Sequence, residues 1–392
     1  MAADPVLWPV PGAGDVFWQA EWLTDVMRPV AGLAQHRQLR EHPRLSIGFD
    51  GLSTATERRW LENLLEAHAA SLWHVPLPGC GFRLGASLIS GASGILGDTT
   101  GTLFQPGGLA LITGADPRKG ELVTIDEVEP DGLVLADDTV RAHAAGEFVL
   151  PVFAGMLAAA PQIARFTGDA APWRVEFELT QPLPITGNTG ATTYRGHPVL
   201  ELPVDWESDP TWQPTRQLMT EDNGTGPVYR ADLLRQASTA FSRQATAANA
   251  EEVADLLARV WGLAGRATPI WVSTMAADLV HVASASSSAT TLDVAWCGLP
   301  TGTRPPGRRD IRIALRNGTV IRRRVTSVAQ PDSNTHRLTL DSALGTAIAP
   351  DDVLQVSWLA LCTLSADVVR INWWRYDVAR CQLAFQQVAH EY

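Results

Sequence analysis

The residues able to do chemistry in this 392-residue chain form no catalytic pattern. The run GCGFRLG from Gly79 places its last glycine one residue too late for a dinucleotide fingerprint, and no βαβ pattern precedes it. SGASG from Ser90 lacks the spacing of a nucleophile elbow. The terminal HEY does not continue to the second histidine of a zinc-protease helix. Cys80, Cys297, Cys362 and Cys381 are scattered, with no CxxC pair. That distribution suits buried thiols in a reducing compartment better than a metal or cluster site. Carboxylates are plentiful, but a glycosidase pair is a matter of distance in space, and surface acids are the ordinary reading. No catalytic, cofactor-binding or metal-binding residue is therefore assigned.

Arginine is the chemistry-bearing residue that does concentrate. Residues 22–44 hold Arg28, Arg37, Arg40 and Arg44 with two prolines and no clean period, in a chain of formal net charge -11. A second group runs from Arg304 to Arg324 and includes Arg312 and Arg316. The acidic balance and the lack of interleaved aromatics argue against sequence-specific nucleic-acid binding. Arginine is favoured at protein interfaces, so Arg28, Arg37, Arg40, Arg44, Arg312 and Arg316 are the candidate subunit-interface residues.

The elements that must position them recur along the chain. Val6 matches Val199, Phe49 matches Phe241, Val123 matches Val325 and Phe177 matches Phe385, with an offset that grows from 192–193 to 208. The order of features is the same in both halves. This points to a tandem duplication, residues 1–185 and 186–392, with a boundary in the Pro-, Gly- and Thr-rich stretch around residues 180–197. Apolar spacing predicts one amphipathic helix per half, over residues 50–75 and 243–265, with Asn249 as N-cap and Gly265 as the stop. Short β-type runs predict strands for most of the rest, among them 109–114, 122–128, 132–137, 336–341 and 353–361. DIRIALRNGTVIRRRV reads as a hairpin with a type I′ turn at Asn317-Gly318, its Ile311, Ile313 and Leu315 on one face and Arg312 and Arg316 on the other. The expected class is mainly β (α+β): two similar sandwich- or barrel-like domains, each with one helix. A 45% hydrophobic, 19% charged composition is that of a packed protein. The start has no signal-peptide pattern, and no run reaches the length of a membrane span. Fourteen tryptophans against four tyrosines suit large buried contacts within or between chains.

The N-terminal 150 residues resemble tail-tip proteins of long-tailed, non-contractile bacteriophages. The resemblance rests on Trp8-Pro9, Thr24-Asp25-Val26, Gly32, Gln35, Arg37, Leu39-Arg40, Pro43-Arg44 and Trp73-His74-Val75-Pro76, then on the run DTTGTLFQPGGLALI. His36 departs from the acidic or polar residue of that pattern. The resemblance implies a non-enzymatic virion protein, made in the host bacterial cytoplasm. It would form a ring between the tail tube and the hub and fibres, with the tube and tape measure proteins as neighbours and no cofactor. Some hub proteins of this broad group carry an iron–sulfur cluster, which the cysteine spacing here does not match. A lumen for DNA should be acidic, so that it does not bind phosphate, with the opening arginines clasping an adjacent chain. Three copies of a duplicated chain would match a six-fold tube to a three-fold spike, and are favoured over six copies. A carbohydrate-binding adhesin with exposed tryptophans, and a tail-associated wall hydrolase, are the alternatives.

Overall fold

The computed structural model describes residues 5–9, 13–27, 34–114, 116–216, 218–232, 238–304 and 308–388. The first half begins with β1 (Val6–Leu7), β2 (Ala13–Glu21) and a hairpin of β3 (Thr24–Met27) and β4 (Gln35–Gln38). β5 (Arg44–Thr54) leads into helix α1 (Ala55–Ala67). β6 (Trp73–Pro76), β7 (Phe82–Arg83), β8 (Gly94–Leu96), β9 (Leu109–Thr113), β10 (Glu121–Glu129) and β11 (Gly132–Leu135) follow. β12 (Phe148–Leu157), β13 (Gln162–Ile163) and β14 (Ala170–Leu179) close the half. A short hairpin, β15 (Thr193–Tyr194) and β16 (His197–Pro198), lies in the connection. The second half holds β17 (Thr211–Thr215), a hairpin of β18 (Leu218–Glu221) and β19 (Tyr229–Asp232), β20 (Ser238–Ala247) and helix α2 (Ala250–Leu263). Then come β21 (Ile270–Ser273), β22 (Thr291–Ala295), β23 (Gly302–Thr303), β24 (Asp310–Leu315), β25 (Val320–Asp332) and β26 (Thr335–Leu340). β27 (Val353–Leu364), β28 (Val368–Arg375) and β29 (Val378–Gln387) end it. The fold is mainly β, as the alternation implied.

Strand pairing recurs between the halves, almost pair for pair. β5 lies between β2 and β14, and β20 between β17 and β29. β12 pairs with β6, β9 and β14, and β27 with β21, β24 and β29. β11 pairs with β10 and β8, and β26 with β25 and β22. Even the parallel contact Val6–Trp73 has a counterpart in Val199–Trp271. Two of the sequence matches do not hold together. Phe177 sits opposite Ile47, whereas Phe385 sits opposite Phe241. Aligning Phe177 with Phe385 therefore sets Ile47, not Phe49, against Phe241. A slip of two residues keeps every side chain on its face, which is why the sequence pattern tolerates either register.

Local chemistry sets the ends of elements. The Asn249 side chain accepts from the Glu252 N–H at 2.9 Å and starts α2. The helix ends with Ala264 already left-handed (φ 48°), one residue before Gly265 (φ 66°). α1 stops at Ala67, short of the expected residue 75; Leu72 is exposed and adds nothing to an apolar stripe. The β24–β25 turn is not type I′. Gly318 alone takes positive φ (86°), its N–H bonds the Leu315 carbonyl, and Leu315 donates to Thr319. That is a three-residue loop with glycine in the left-handed position, which Asn317 at negative φ permits.

The two halves share one central core. Buried residues from β2, β5, β14 and α1 join those from β20, α2, β28 and β29 in a single cluster. Each half adds a smaller outer core, around Ile95, Ile112 and Leu133 in the first and around Ile311, Val325 and Leu338 in the second. The central joint is β2 against β28, antiparallel from Val16–Trp373 to Glu21–Val368. Trp18 and Trp373 meet across it with ring centroids 4.8 Å apart. Trp18→Ala removes a fully buried side chain from this joint and is expected to cost about 3–5 kcal/mol. Because the core is common to both halves, denaturant unfolding followed by tryptophan fluorescence and by circular dichroism should show one coincident transition, shifted as a unit. Two separate transitions would contradict a shared core.

Candidate assembly surface

One continuous sheet runs through both halves in the order β13-β14-β5-β2-β28-β29-β20-β17. Among the described residues its two outer strands, β13 and β17, each pair on one side only. Under the repeat, β17 corresponds to β2 and β13 to β28. The internal joint thus uses the same two kinds of edge that remain open at the ends. At that joint Trp373 packs over Gly79 so closely that a Cβ there would lie 2.2 Å from the ring. Gly79 also takes φ +105°, so glycine is required twice over.

Two hairpins, β3–β4 and β18–β19, form small sheets of their own, separate from the main one. An isolated two-stranded ribbon is marginal in water, so each needs an anchor or a partner. The first is anchored at its root by Asp367. Its carboxylate accepts from the Thr24 N–H (2.9 Å), the Thr24 hydroxyl (2.7 Å), the Arg266 N–H (2.9 Å) and the Arg266 guanidinium (3.1 Å). Arg266 also donates to the Thr24 carbonyl at 3.2 Å. Burial works to raise the Asp367 pKa, but the hydrogen bonds from Arg266 and Thr24 outweigh it and hold the carboxyl below its usual range. Beyond the root, Met27 is exposed, as are Leu218, Met219 and Tyr229 on the second hairpin.

The candidate arginines divide. Arg28 lies outside the described residues. Arg37 is exposed on β4. Arg40 and Arg44 turn back onto their own chain. Arg40 donates to the Glu21 carbonyl at 3.2 Å, and Arg44 lies 4.0 Å from a Glu178 oxygen. Of the four opening arginines, Arg40 and Arg44 thus have partners within the chain, and Arg37 stays exposed. In this structure Arg40 and Arg44 brace β2 and β14, because Glu21 and Glu178 border the start of β5, the strand that begins at Arg44. Arg316 likewise donates to the Asp351 carbonyl at 2.9 Å. Arg312 lies across from Arg322 on β25; burial first, and then the Arg322 charge, lower its pKa.

Around Arg312 the second arginine group fastens the connection between the halves. Arg324 makes a two-pronged pair with buried Asp310 (2.9 and 3.0 Å), and Tyr194 donates to the same carboxylate at 2.8 Å. Arg195 pairs with Asp341 at 2.9 Å, and Arg322 pairs with Glu201. Burial and the Asp310 charge raise the Tyr194 pKa, so its hydroxyl stays a donor. These arginines order the connection at residues 192–201 against the β24–β25 hairpin.

The solvent face of the long sheet is of mixed charge. Around β2, β5 and β14 it carries Asp15, Glu21, Asp50, Glu176 and Glu178, with Arg44 and Arg174. Around β28, β29 and β20 it carries Arg370 and Arg380 among Asn372, Gln382 and Gln244. Asp205 and Glu207 pair with Arg380 on this side, so acidic groups border both halves. Phe17 faces this side too, covered by Arg370 (3.8 Å from the ring centroid) and Arg174 (4.6 Å).

Catalytic geometry is thin. Cys297, exposed rather than buried as expected, lies 3.8 Å from His336. Burial raises its thiol pKa, the opposite of what an activated nucleophile needs. Among the described residues no three His, Cys, Asp or Glu converge as a metal site. The sequence reading missed β2, β28 and Asp367. A period-2 signal was there for both strands, in Val16, Trp18, Ala20 and Val369, Ile371, Trp373; for Asp367 nothing in the sequence pointed to its partners. No protein-family model matches this chain, and no curated protein matches its sequence.

Asp367→Asn is expected to destabilise the protein by about 1–3 kcal/mol at neutral pH. The sign follows from the depressed pKa. The stabilisation is present above the ordinary aspartate value of about 3.9 and is lost as pH falls through the lower folded value. Urea titrations from pH 7 to pH 3 should show the gap between wild type and variant closing at the acid end. A gap that widens there would refute the assignment.

Proposed function

We propose that this protein is a structural ring component at the distal end of a phage tail, linking the tail tube to the hub and fibres around a lumen for DNA. The supporting observation is the β2–β28 joint. It is a head-to-tail contact between two like halves, and it leaves one open edge of each kind, β17 and β13, at the chain's ends. Repeating the same contact between chains gives a heterologous interface, which closes into a ring when its rotation allows. Three copies then supply six halves, the stoichiometry favoured here over six copies. The long sheet would line the lumen. The hairpins, with Arg37 and exposed Met27, Leu218 and Tyr229, would reach neighbouring subunits or the tube, tape measure, hub and fibre proteins. This reading assigns the chain no catalysis.

A carbohydrate-binding adhesin draws on one observation: Trp206 and Trp212 are both exposed and border the same cleft. Against it, the Arg308 guanidinium already covers the Trp212 ring, 5.1 Å from its centroid, which takes up a face a sugar would need.

The edge is testable with one residue. Ala164 and Phe166 send their N–H groups inward, to the Pro172 and Ala170 carbonyls, so by alternation the N–H of Arg165 faces the open edge. Arg165 is exposed and, among the described residues, makes a single surface contact, with Glu62 at 3.5 Å, worth about 0–1 kcal/mol. Arg165→Pro is expected to leave the monomer's melting temperature within a few degrees but to abolish ring formation in mass photometry. Wild type should form particles of three chains. Particles of six chains would remove the adaptor argument, and a variant that assembles normally would remove the edge from the interface.

A further inference from the structure

Arg243 points into the interior from β20 and is 5% exposed. Among the described residues neither Nη1 nor Nη2 has a hydrogen-bond partner. Its contact with the Phe385 ring, 5.6 Å from Cζ to centroid, leaves the donor edge of the guanidinium unused. Burial lowers its pKa to about 10, so it remains charged at neutral pH. A buried, unpaired guanidinium is costly.

The repeat indicates what is unusual here. With Phe177 aligned to Phe385, Val175 opposite Phe49 becomes Leu383 opposite Arg243. In the same register Trp173 becomes Cys381. In the first half those positions belong to a filled aromatic cluster. Trp8 lies 5.8 Å from Phe49 and 5.9 Å from Trp173, and all three are buried. In the second half an open cleft of about 230 Å³ reaches Arg243 instead. Its walls are Trp206, Trp212, Phe241 and Val272, with Asp278 and Arg308 at the rim. Arg308 is already committed, 3.4 Å from Asp278 and stacked on Trp212 and Trp358. Among the described residues, the positive charge of Arg243 is left without a counter-charge.

We propose that this cleft binds a carboxylate carried on a flat apolar body, with the Arg243 guanidinium gripping the carboxylate through its free fork. The guanidinium edge matches a carboxylate in two-pronged geometry. A single uncompensated charge beside Asp278 favours a monoanion over a phosphate dianion. The volume suits an aromatic ring, since a cavity of about 150 Å³ can hold benzene. The carboxylate could come from a free small molecule or from an acidic side chain or chain end of a neighbouring copy, because the cleft borders the open β17 edge. The proposal does not depend on the tail-tip reading.

The test uses the full chain with sodium benzoate as probe, and benzamide, its neutral isostere, and inorganic phosphate as controls. Benzoate should raise the melting temperature by several degrees at saturation; benzamide and phosphate should not. Arg243→Met should melt higher than wild type without ligand and lose the benzoate response. Arg243→Lys keeps the charge without the fork, and should bind benzoate at least tenfold more weakly by isothermal titration calorimetry. Mass photometry separates the sources. Benzoate that dissociates oligomers identifies a neighbour's carboxylate, and benzoate that stabilises the protein with assembly unchanged identifies a free ligand; both support the site. Equal responses to benzoate and benzamide, or Arg243→Lys binding benzoate as tightly as wild type, would overturn it.

Discussion

The outermost strand of a sheet presents a row of N–H and C=O groups that must be paired, covered or left to water. In this chain β2 and β28 pair with each other, although about 350 residues separate them along the sequence. Much else depends on that one antiparallel contact. It joins two sheets into one, it brings Trp18 to Trp373, and it lets a single central core form where two separate cores would have been smaller. It also places Asp367, at the start of β28, beside Thr24 and Arg266. The root of the first hairpin and the end of α2 are then held by one carboxylate. Gly265 is required at the same place, since a Cβ there would lie 2.8 Å from the Trp22 Cβ and 2.5 Å from the Asp367 carboxylate.

The halves keep a topology while changing what fills it. In the first half the space between β5, β14 and β6 is packed with Trp8, Phe49, Trp73, Trp173 and Phe177. In the second half Arg243 and Cys381 stand at two of those positions, and α2 contributes more of the burial, through Val253, Leu256, Leu257, Val260 and Leu263. α1 buries only Leu61 and Leu65. Packing volume has thus moved from strand aromatics to a helix face. A cleft remains where the exchange is incomplete. Strand pairing tolerates this because backbone hydrogen bonds depend little on which apolar side chain lies above them.

The sequence made some of this legible and hid the rest for physical reasons. β10 and β24 carry their own alternation, β9 and β27 are mostly apolar β-type runs, and α2 carries its own cap in Asn249, so local reading finds them. Partners are another matter. The pairing of β2 with β28 leaves no local trace, and the register difference between Phe177–Ile47 and Phe385–Phe241 preserves the period of two that a sequence reading relies on. The turn at Asn317-Gly318 misled because the same dipeptide serves a two-residue and a three-residue loop. The arginine groups were visible as composition, but their roles were not. Arg324, Arg322 and Arg195 find acids more than 10 residues away along the chain, and Arg40 finds Glu21 across the base of a hairpin.

Edge lengths give the proposed assembly an order. The internal joint aligns six residue pairs, from Val16–Trp373 to Glu21–Val368. The open edges are shorter: β17 has five residues, with Pro214 among them, and β13 has two. A long joint within one chain forms at the high effective concentration that a covalent connection provides. Short edges, one of them carrying a proline, resist indiscriminate pairing with other chains and with unfolded segments. The monomer would therefore complete its core before any ring forms. Closure would wait for side-chain contacts from the hairpins to add to what few backbone hydrogen bonds the edges can make. A duplicated chain gains this hierarchy by construction. In the proposed ring half of the joints would be made during folding, and those left for assembly could be weaker, more selective and free to diverge.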